Sequence, residues 1–294
     1  MLEDAGLDRQ RCPADGATYE RRDGVWRMLL PARATALSQF MREYETVRRS
    51  EGRGDAHAAY YRALPFRDLS GRFSDDWKIR AASFRALVNH ILPPLEASLG
   101  RACIALDLGA GCGWLAYRLA QRGHTVGAVD LQTNGVDGLG AYQHYDAEFV
   151  PVQAEFDRLP FVSGLADLVV FNASLHYATD YVTTLREALR VLRPGGTVVI
   201  LDSPVYRHAS SGQAMVRERE VAFCHRFGFP SNAIASEHYV THARLRDLAD
   251  QLGVRWRLAS PRHGMRFAIR RWKTLLLSRR EAARFPLIAA RKET

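Results

Sequence analysis

Ile104-Ala105-Leu106-Asp107-Leu108-Gly109-Ala110-Gly111-Cys112-Gly113-Trp114-Leu115 is the stretch whose reading decides the fold. Ile104 to Leu108 is a short apolar run with one acid near its end, the pattern of a parallel strand covered on both faces. Gly109, Gly111 and Gly113 follow at alternate positions, and a helix is expected from Trp114. Glycine accepts the left-handed backbone of a tight turn and lets the main chain reach contact distance of a ligand, while the first N–H groups of the helix face the same crevice. A nucleotide-like ligand is the expectation, held by Asp107, Gly109, Ala110, Gly111, Gly113 and Trp114. The spacing G-x-G-x-G departs from the dinucleotide fingerprint G-x-G-x-x-G.

Downstream, a helix from Trp114 to Arg122 should end at Gly123, and Thr125 to Asp130 reads as the next strand. An acid at the end of that strand suits a ribose diol, because one carboxylate accepts from both hydroxyls. Asn134 to Tyr145 reads as a glycine-broken helix, Phe149 to Phe161 contains a third strand, and Ala166 to Asn172 a fourth. A helix over Tyr181 to Leu192 leads through Pro194-Gly195-Gly196 into a fifth strand. Val254 to Ser260 is expected as a sixth strand and Phe285 to Lys292 as a seventh.

The segment L-D-L-G-A-G-C-G, the acid before Leu159-Pro160-Phe161, the Asn172 to Tyr177 strand end and L-R-P-G-G arrive in the order seen in the class I S-adenosylmethionine-dependent methyltransferases, and the chain resembles that family from about Leu99 to Ser203. The resemblance implies an α/β, Rossmann-like fold with a seven-stranded, mostly parallel sheet whose last strand runs antiparallel. It implies S-adenosylmethionine as cofactor, S-adenosylhomocysteine as product, Asp130 on the ribose and Leu131 on the adenine. Glu155 stands where the family more often has an aspartate facing the adenine amine, and the Phe156 backbone N–H is the other adenine partner. Asn172 and Ala173 fall at the methionine end, with His176 and Tyr177 nearest the reacting methyl. An imidazole with a pKa near neutrality makes His176 the candidate general base; Tyr177, His144 and His238 are weaker ones.

The flanks divide the chain into 1–54, a hairpin and a helix; 55–98, a helical cap over the crevice; and 99–294, the methyltransferase domain with insertions at about 205–240 and 262–284. Asp23-Gly24 between alternating segments is a hairpin signal. The hairpin resembles a zinc-ribbon-like segment attached to some methyltransferases, but Asp15 replaces the second cysteine of the knuckle, so a metal-free remnant is expected. Tyr60, Tyr61, Trp77 and Arg80 are candidate lid contacts. Ala209 to Phe227 resembles a substrate lid, with Arg217, Arg219, His225 and Arg226 on it.

Composition is that of an ordinary globular protein, 47% hydrophobic and 25% charged, and no apolar run is long enough to span a membrane, so a cytoplasmic protein is expected. Cys12, Cys103, Cys112 and Cys224 are scattered without a CxxC pair, which argues against zinc and against a disulfide framework. The net charge of +9 concentrates between Arg262 and Arg284, where eight Arg and Lys residues face Glu281 alone. Apolar residues interleave there at helical spacing, as in a core-facing helix, a lipid-surface helix or a homodimer contact. The function expected is methyl transfer to a small-molecule acceptor in natural-product or cofactor biosynthesis. A ribosomal or transfer RNA methyltransferase is the alternative, and a non-catalytic cofactor-binding regulator a minor one.

Overall fold

The computed structural model describes residues 3, 4, 6, 8–13, 16–264, 269 and 280–293. The chain opens with four short strands, β1 (Glu3–Asp4), β2 (Arg9–Arg11), β3 (Thr18–Arg22) and β4 (Val25–Arg27). Asp23 (φ 50°) and Gly24 (φ 75°) form the turn between β3 and β4, both left-handed as the dipeptide implies. Four helices follow: α1 (Pro31–Ser50), α2 (Ala58–Ala63), α3 (Ser74–His90) and α4 (Leu92–Leu99).

The quoted stretch is strand β5 (Ile104–Leu108), the glycine turn and helix α5 (Trp114–Ala120), and β6 (Thr125–Asp130) and β7 (Val150–Gln153) come next. Between these two strands the expected helix is only a 3-10 turn over Leu139–His144. The Asn134 side chain accepts from the amides of Val136 and Asp137 and so diverts the backbone into a local turn. Strand β8 (Ala166–Asn172), helix α6 (Tyr181–Val191) and strand β9 (Leu192–Leu201) complete the central unit. Beyond it lie β10 (Val205–Tyr206), α7 (Ala209–Phe227), β11 (Val240–Thr241), α8 (His242–Leu252), β12 (Arg257–Ala259) and β13 (Leu287–Arg291).

The main sheet runs β1-β2-β3-β4-β7-β6-β5-β8-β9-β13-β12. From β7 to β9 neighbours are parallel, and β13 returns antiparallel against both β9 and β12. The seven expected strands are therefore present in the Rossmann-like order. The N-terminal hairpin corrects the expected division at residue 54: β4 pairs in parallel with β7, Trp26 opposite Val152, so residues before 54 extend the central sheet rather than form an appendage. The basic segment falls largely outside the described residues, and its expected helix with it.

Alternation along β5 explains why the sheet is covered on both sides. Ala105 joins the core that packs α3, α4 and α5, while Leu106 and Leu108 join the core that packs α6 and α8. Every residue of β8 is buried, as a central parallel strand requires. Helix α6 buries Tyr181, Thr184, Leu185, Ala188 and Val191, an i, i+3, i+4, i+7 stripe, and Asp180 caps it by accepting from the Val182 and Thr183 amides. Chain order reverses between β5 and β8, which opens a crevice at the C-terminal strand ends.

Candidate active site

The glycine turn forms the floor of that crevice. Gly109 has φ 77°, and a Cβ there would sit 2.2 Å from the Ser174 Cβ. Gly111 has φ 54° and lines the larger cavity, and a Cβ on it would meet the Asp137 carbonyl oxygen at 3.7 Å, an ordinary contact. Asp107 contradicts its expected place at the cofactor: it is fully buried and lines neither of the two cavities described below. Its Oδ2 accepts from the Ala116 amide at 3.2 Å, tying the strand to the helix, and burial pushes its pKa up to about 8. Gly113 also lies behind the wall, as the N-cap of α5 against the Phe149 ring. Trp114 lines the larger cavity, its ring 6.0 Å from those of Trp77 and Phe84.

The smaller cavity, of about 110 Å³, lies beside Asp130 and Leu131. Asp130 is fixed by its own backbone neighbours: Oδ2 accepts from the Gly111 amide and Oδ1 from the Gln132 amide, both at 2.8 Å. Burial raises its pKa. Glu155 and Phe156 line the same space, but both oxygens of Glu155 are taken by the Arg33 guanidinium at 2.6–3.0 Å. The expected adenine acceptor is thus an ion pair that closes the end of the cavity. Asp157 lines it too, where the sequence suggests a solvated acid.

Helix α1 supplies the roof, a role the sequence reading gave to the following segment. Leu37, Phe40 and Tyr44 line the small cavity. The Tyr44 and Tyr177 rings meet edge-on at 5.9 Å, and both line the small cavity and the larger one. Of the candidate lid contacts, Trp77 and Arg80 line the larger cavity. Tyr60 and Tyr61 line neither: both are buried, and the Tyr61 hydroxyl donates to the Asp55 and Val136 carbonyls.

The larger cavity, of about 450 Å³, takes in Ala110, Gly111, Asn172, Ala173, His176 and Tyr177. Ala173 has φ 54°, a conformation that costs an alanine on the order of 1 kcal/mol and is typical of functional turns. The buried Asn172 Oδ1 has no hydrogen-bond partner. His176 places Nδ1 3.3 Å from the Ser203 hydroxyl. Burial, with His238 and Arg219 nearby, pushes its pKa down to about 3, so the expected base is a neutral imidazole whose protonated form the site disfavours. His238 faces the same cavity with its pKa down to about 4, held by the Ser236 hydroxyl at 2.9 Å from Nδ1. His144 stacks on Tyr61 instead, away from either cavity.

Residues 106–200 match a family model described as a methyltransferase domain, on the strands and turn that build this crevice. The chain carries a class I, S-adenosylmethionine-dependent methyltransferase domain. Within and around this methyltransferase domain the chain is 34% identical over 94 residues to a malonyl-[acyl-carrier protein] O-methyltransferase of Buchnera aphidicola, covering 32% of this chain and 37% of that protein. It is 33% identical over 163 residues to a sarcosine/dimethylglycine N-methyltransferase of Halorhodospira halochloris, covering 54% and 58%. The chain thus spans less than two thirds of either relative. A geranyl diphosphate methyltransferase structure shares the fold with a TM-score of 0.53 at 16% identity, over 74% of this chain and 78% of that one.

The methyltransferase cradle fits S-adenosylmethionine by its donor and acceptor chemistry. Asp130 offers a backbone-oriented carboxylate for the ribose hydroxyls, the side-chain-free backbone of Gly111 in the cavity wall admits close approach, and the unpartnered Asn172 Oδ1 is an acceptor for an ammonium group.

Proposed function

We propose that this chain transfers a methyl group from S-adenosylmethionine to a small-molecule acceptor by direct in-line displacement. The observation that carries the reading is a pair of adjoining cavities, a small one at Asp130 and a larger one, that share Tyr44, Gly109, Ala173 and Tyr177 as walls. Of the relatives named above, one is named for a malonyl group on an acyl-carrier protein and the other for sarcosine and dimethylglycine; neither acceptor is a nucleic acid, which supports a small-molecule acceptor over RNA.

The bound donor supplies an already activated methyl on a sulfonium. The protein's part is orientation and exclusion of water, an effect worth several kcal/mol. Asp130, Leu131 and Phe156 hold the nucleoside; Gly109, Ala110, Gly111, Asn172 and Ala173 hold the methionine end. Tyr177 walls the junction, and His176 presents a neutral imidazole to the acceptor as a hydrogen-bond acceptor, taking a proton only where the nucleophile sheds one.

Calorimetric titration with S-adenosylhomocysteine should give one site per chain, and Asp130→Ala should weaken it by about tenfold or more, the worth of hydrogen bonds to a charged group. Absence of binding by the unaltered protein would contradict the reading. Incubation with S-adenosylmethionine should release S-adenosylhomocysteine on addition of small-molecule extracts and not of RNA.

A further inference from the structure

The larger cavity holds a cation that none of the described residues neutralises. Among the described residues four arginines line it, and three of them are accounted for. Arg48 is paired with Asp137, its Nη2 2.9 Å from Oδ1. Arg280 binds Glu218 at 2.8 Å. Arg80 lies over the Trp77 ring, 4.6 Å from its centroid, and faces the carboxylates of Asp76 and Asp202. Arg219, on the lid-like helix α7, is different: its Nε and Nη2 are buried without a hydrogen-bond partner. It makes no ion pair among the described residues, and its guanidinium lies 5.9 Å from the centroid of the Phe223 ring.

Leaving buried guanidinium N–H groups unmatched is costly, and native structures keep such groups where a ligand satisfies them. The surroundings give the ligand's charge. The titratable neighbours that Arg219 influences here are His176 and His238, and both are neutral at physiological pH. Of the described carboxylates lining the cavity, Asp76 and Asp137 are paired with Arg53 and Arg48, and Asp202 accepts from the Ser83 hydroxyl through Oδ1 and faces Arg80.

We propose that the methyl acceptor carries an anionic oxygen group, a carboxylate or a phosphate, which Arg219 binds at the His176 end of the larger cavity. The proposal rests on the methyl-transfer reading for what occupies the rest of the site. The planar fork of a guanidinium matches two oxygens of either group, which fixes the acceptor's orientation as well as its position. His176 and His238 complete the subsite as neutral hydrogen-bonding walls. An anion seated there removes part of the repulsion that Arg219 exerts on both imidazoles, so their protonated forms gain stability when the acceptor binds.

The test is calorimetry on protein saturated with S-adenosylhomocysteine, so that the donor's own carboxylate is already in place. Benzoate and malonate are titrated against benzamide and malonamide, and phenyl phosphate and inorganic phosphate form a separate arm. At least one anion should bind about tenfold or more tightly than its neutral counterpart, and Arg219→Gln should remove that preference while S-adenosylhomocysteine affinity stays within about twofold. The carboxylate and phosphate arms tell which source the site prefers. Equal binding of acids and amides, no binding by any anion, or an unchanged preference in Arg219→Gln would overturn the proposal. Failure of the unaltered protein to bind S-adenosylhomocysteine would count against the methyl-transfer reading alone, and the anion arms run without it would still decide this one. As an independent readout, Arg219→Gln should raise the titration midpoints of His176 and His238, followed by the proton resonances of the imidazoles.

Discussion

The two ends of the crevice hold their charges in opposite ways. At the nucleoside end two of the lining carboxylates have partners from the chain: Asp130 accepts two backbone amides and Glu155 is clamped by Arg33. At the acceptor end Arg219 has buried N–H groups with no partner among the described residues, and two imidazoles are held neutral. The first end is organised before anything binds; the second is completed by what binds. On the methyl-transfer proposal, specificity for the donor would reside largely in backbone geometry, and specificity for the acceptor in a few side chains, Arg219 and His238 on the inserted segment and His176 just beyond the end of β8.

The sharpest way to break this comparison is to fill the floor that both ends share. Gly109→Val places a side chain where a Cβ already meets Ser174 at 2.2 Å on a left-handed backbone. It should lower S-adenosylhomocysteine affinity by more than about a hundredfold in calorimetry, with circular dichroism reporting whether the fold persists. Asp130→Asn removes the charge but keeps the shape, and should weaken the same binding about tenfold to a hundredfold. His176→Ala acts on the other end: turnover should drop by about tenfold or more while S-adenosylhomocysteine affinity is unchanged, and equal loss of both would erase the distinction between the ends. Arg33→Gln should cost the least at the donor end, a few-fold in affinity, because the guanidinium is 42% exposed and its pair is screened by solvent.

Legibility from sequence divides along the same line. The strand, the glycine turn, Asp130 and Asn172 to Tyr177 are local patterns whose geometry follows from neighbouring residues, and the structure brings them to one crevice. Arg33 was missed because its partner lies 122 positions away and it is one arginine among several on a polar helix. The parallel pairing of β4 with β7 is likewise non-local, and a two-residue register leaves no periodicity to read. Asp107 looked like a ligand because it precedes the glycines, yet strand alternation turns its side chain behind the floor toward the Ala116 amide. Arg219 stood on the expected lid, but among four basic residues only burial singles it out.

Asp107 offers an effect on stability rather than on ligand binding. Its pKa of about 8 lies above its ordinary value of 3.8, so the folded protein binds more protons than the unfolded chain between these values, and this group's contribution is lost as pH rises through them. Asp107→Asn does not titrate. The difference in melting temperature, variant minus unaltered protein, should therefore become more positive from pH 4 to pH 8, and a difference independent of pH would show that the carboxyl is ionised at its ordinary value.

The most direct test of the two-ended crevice is a crystal structure of the protein with S-adenosylhomocysteine. The ribose should lie on Asp130 with the adenine beside Leu131 and Phe156, the amino-acid end against Gly111 and Asn172, and the space between His176 and Arg219 left free for the acceptor. A nucleoside bound away from Asp130, or a homocysteine carboxylate seated on Arg219, would contradict it.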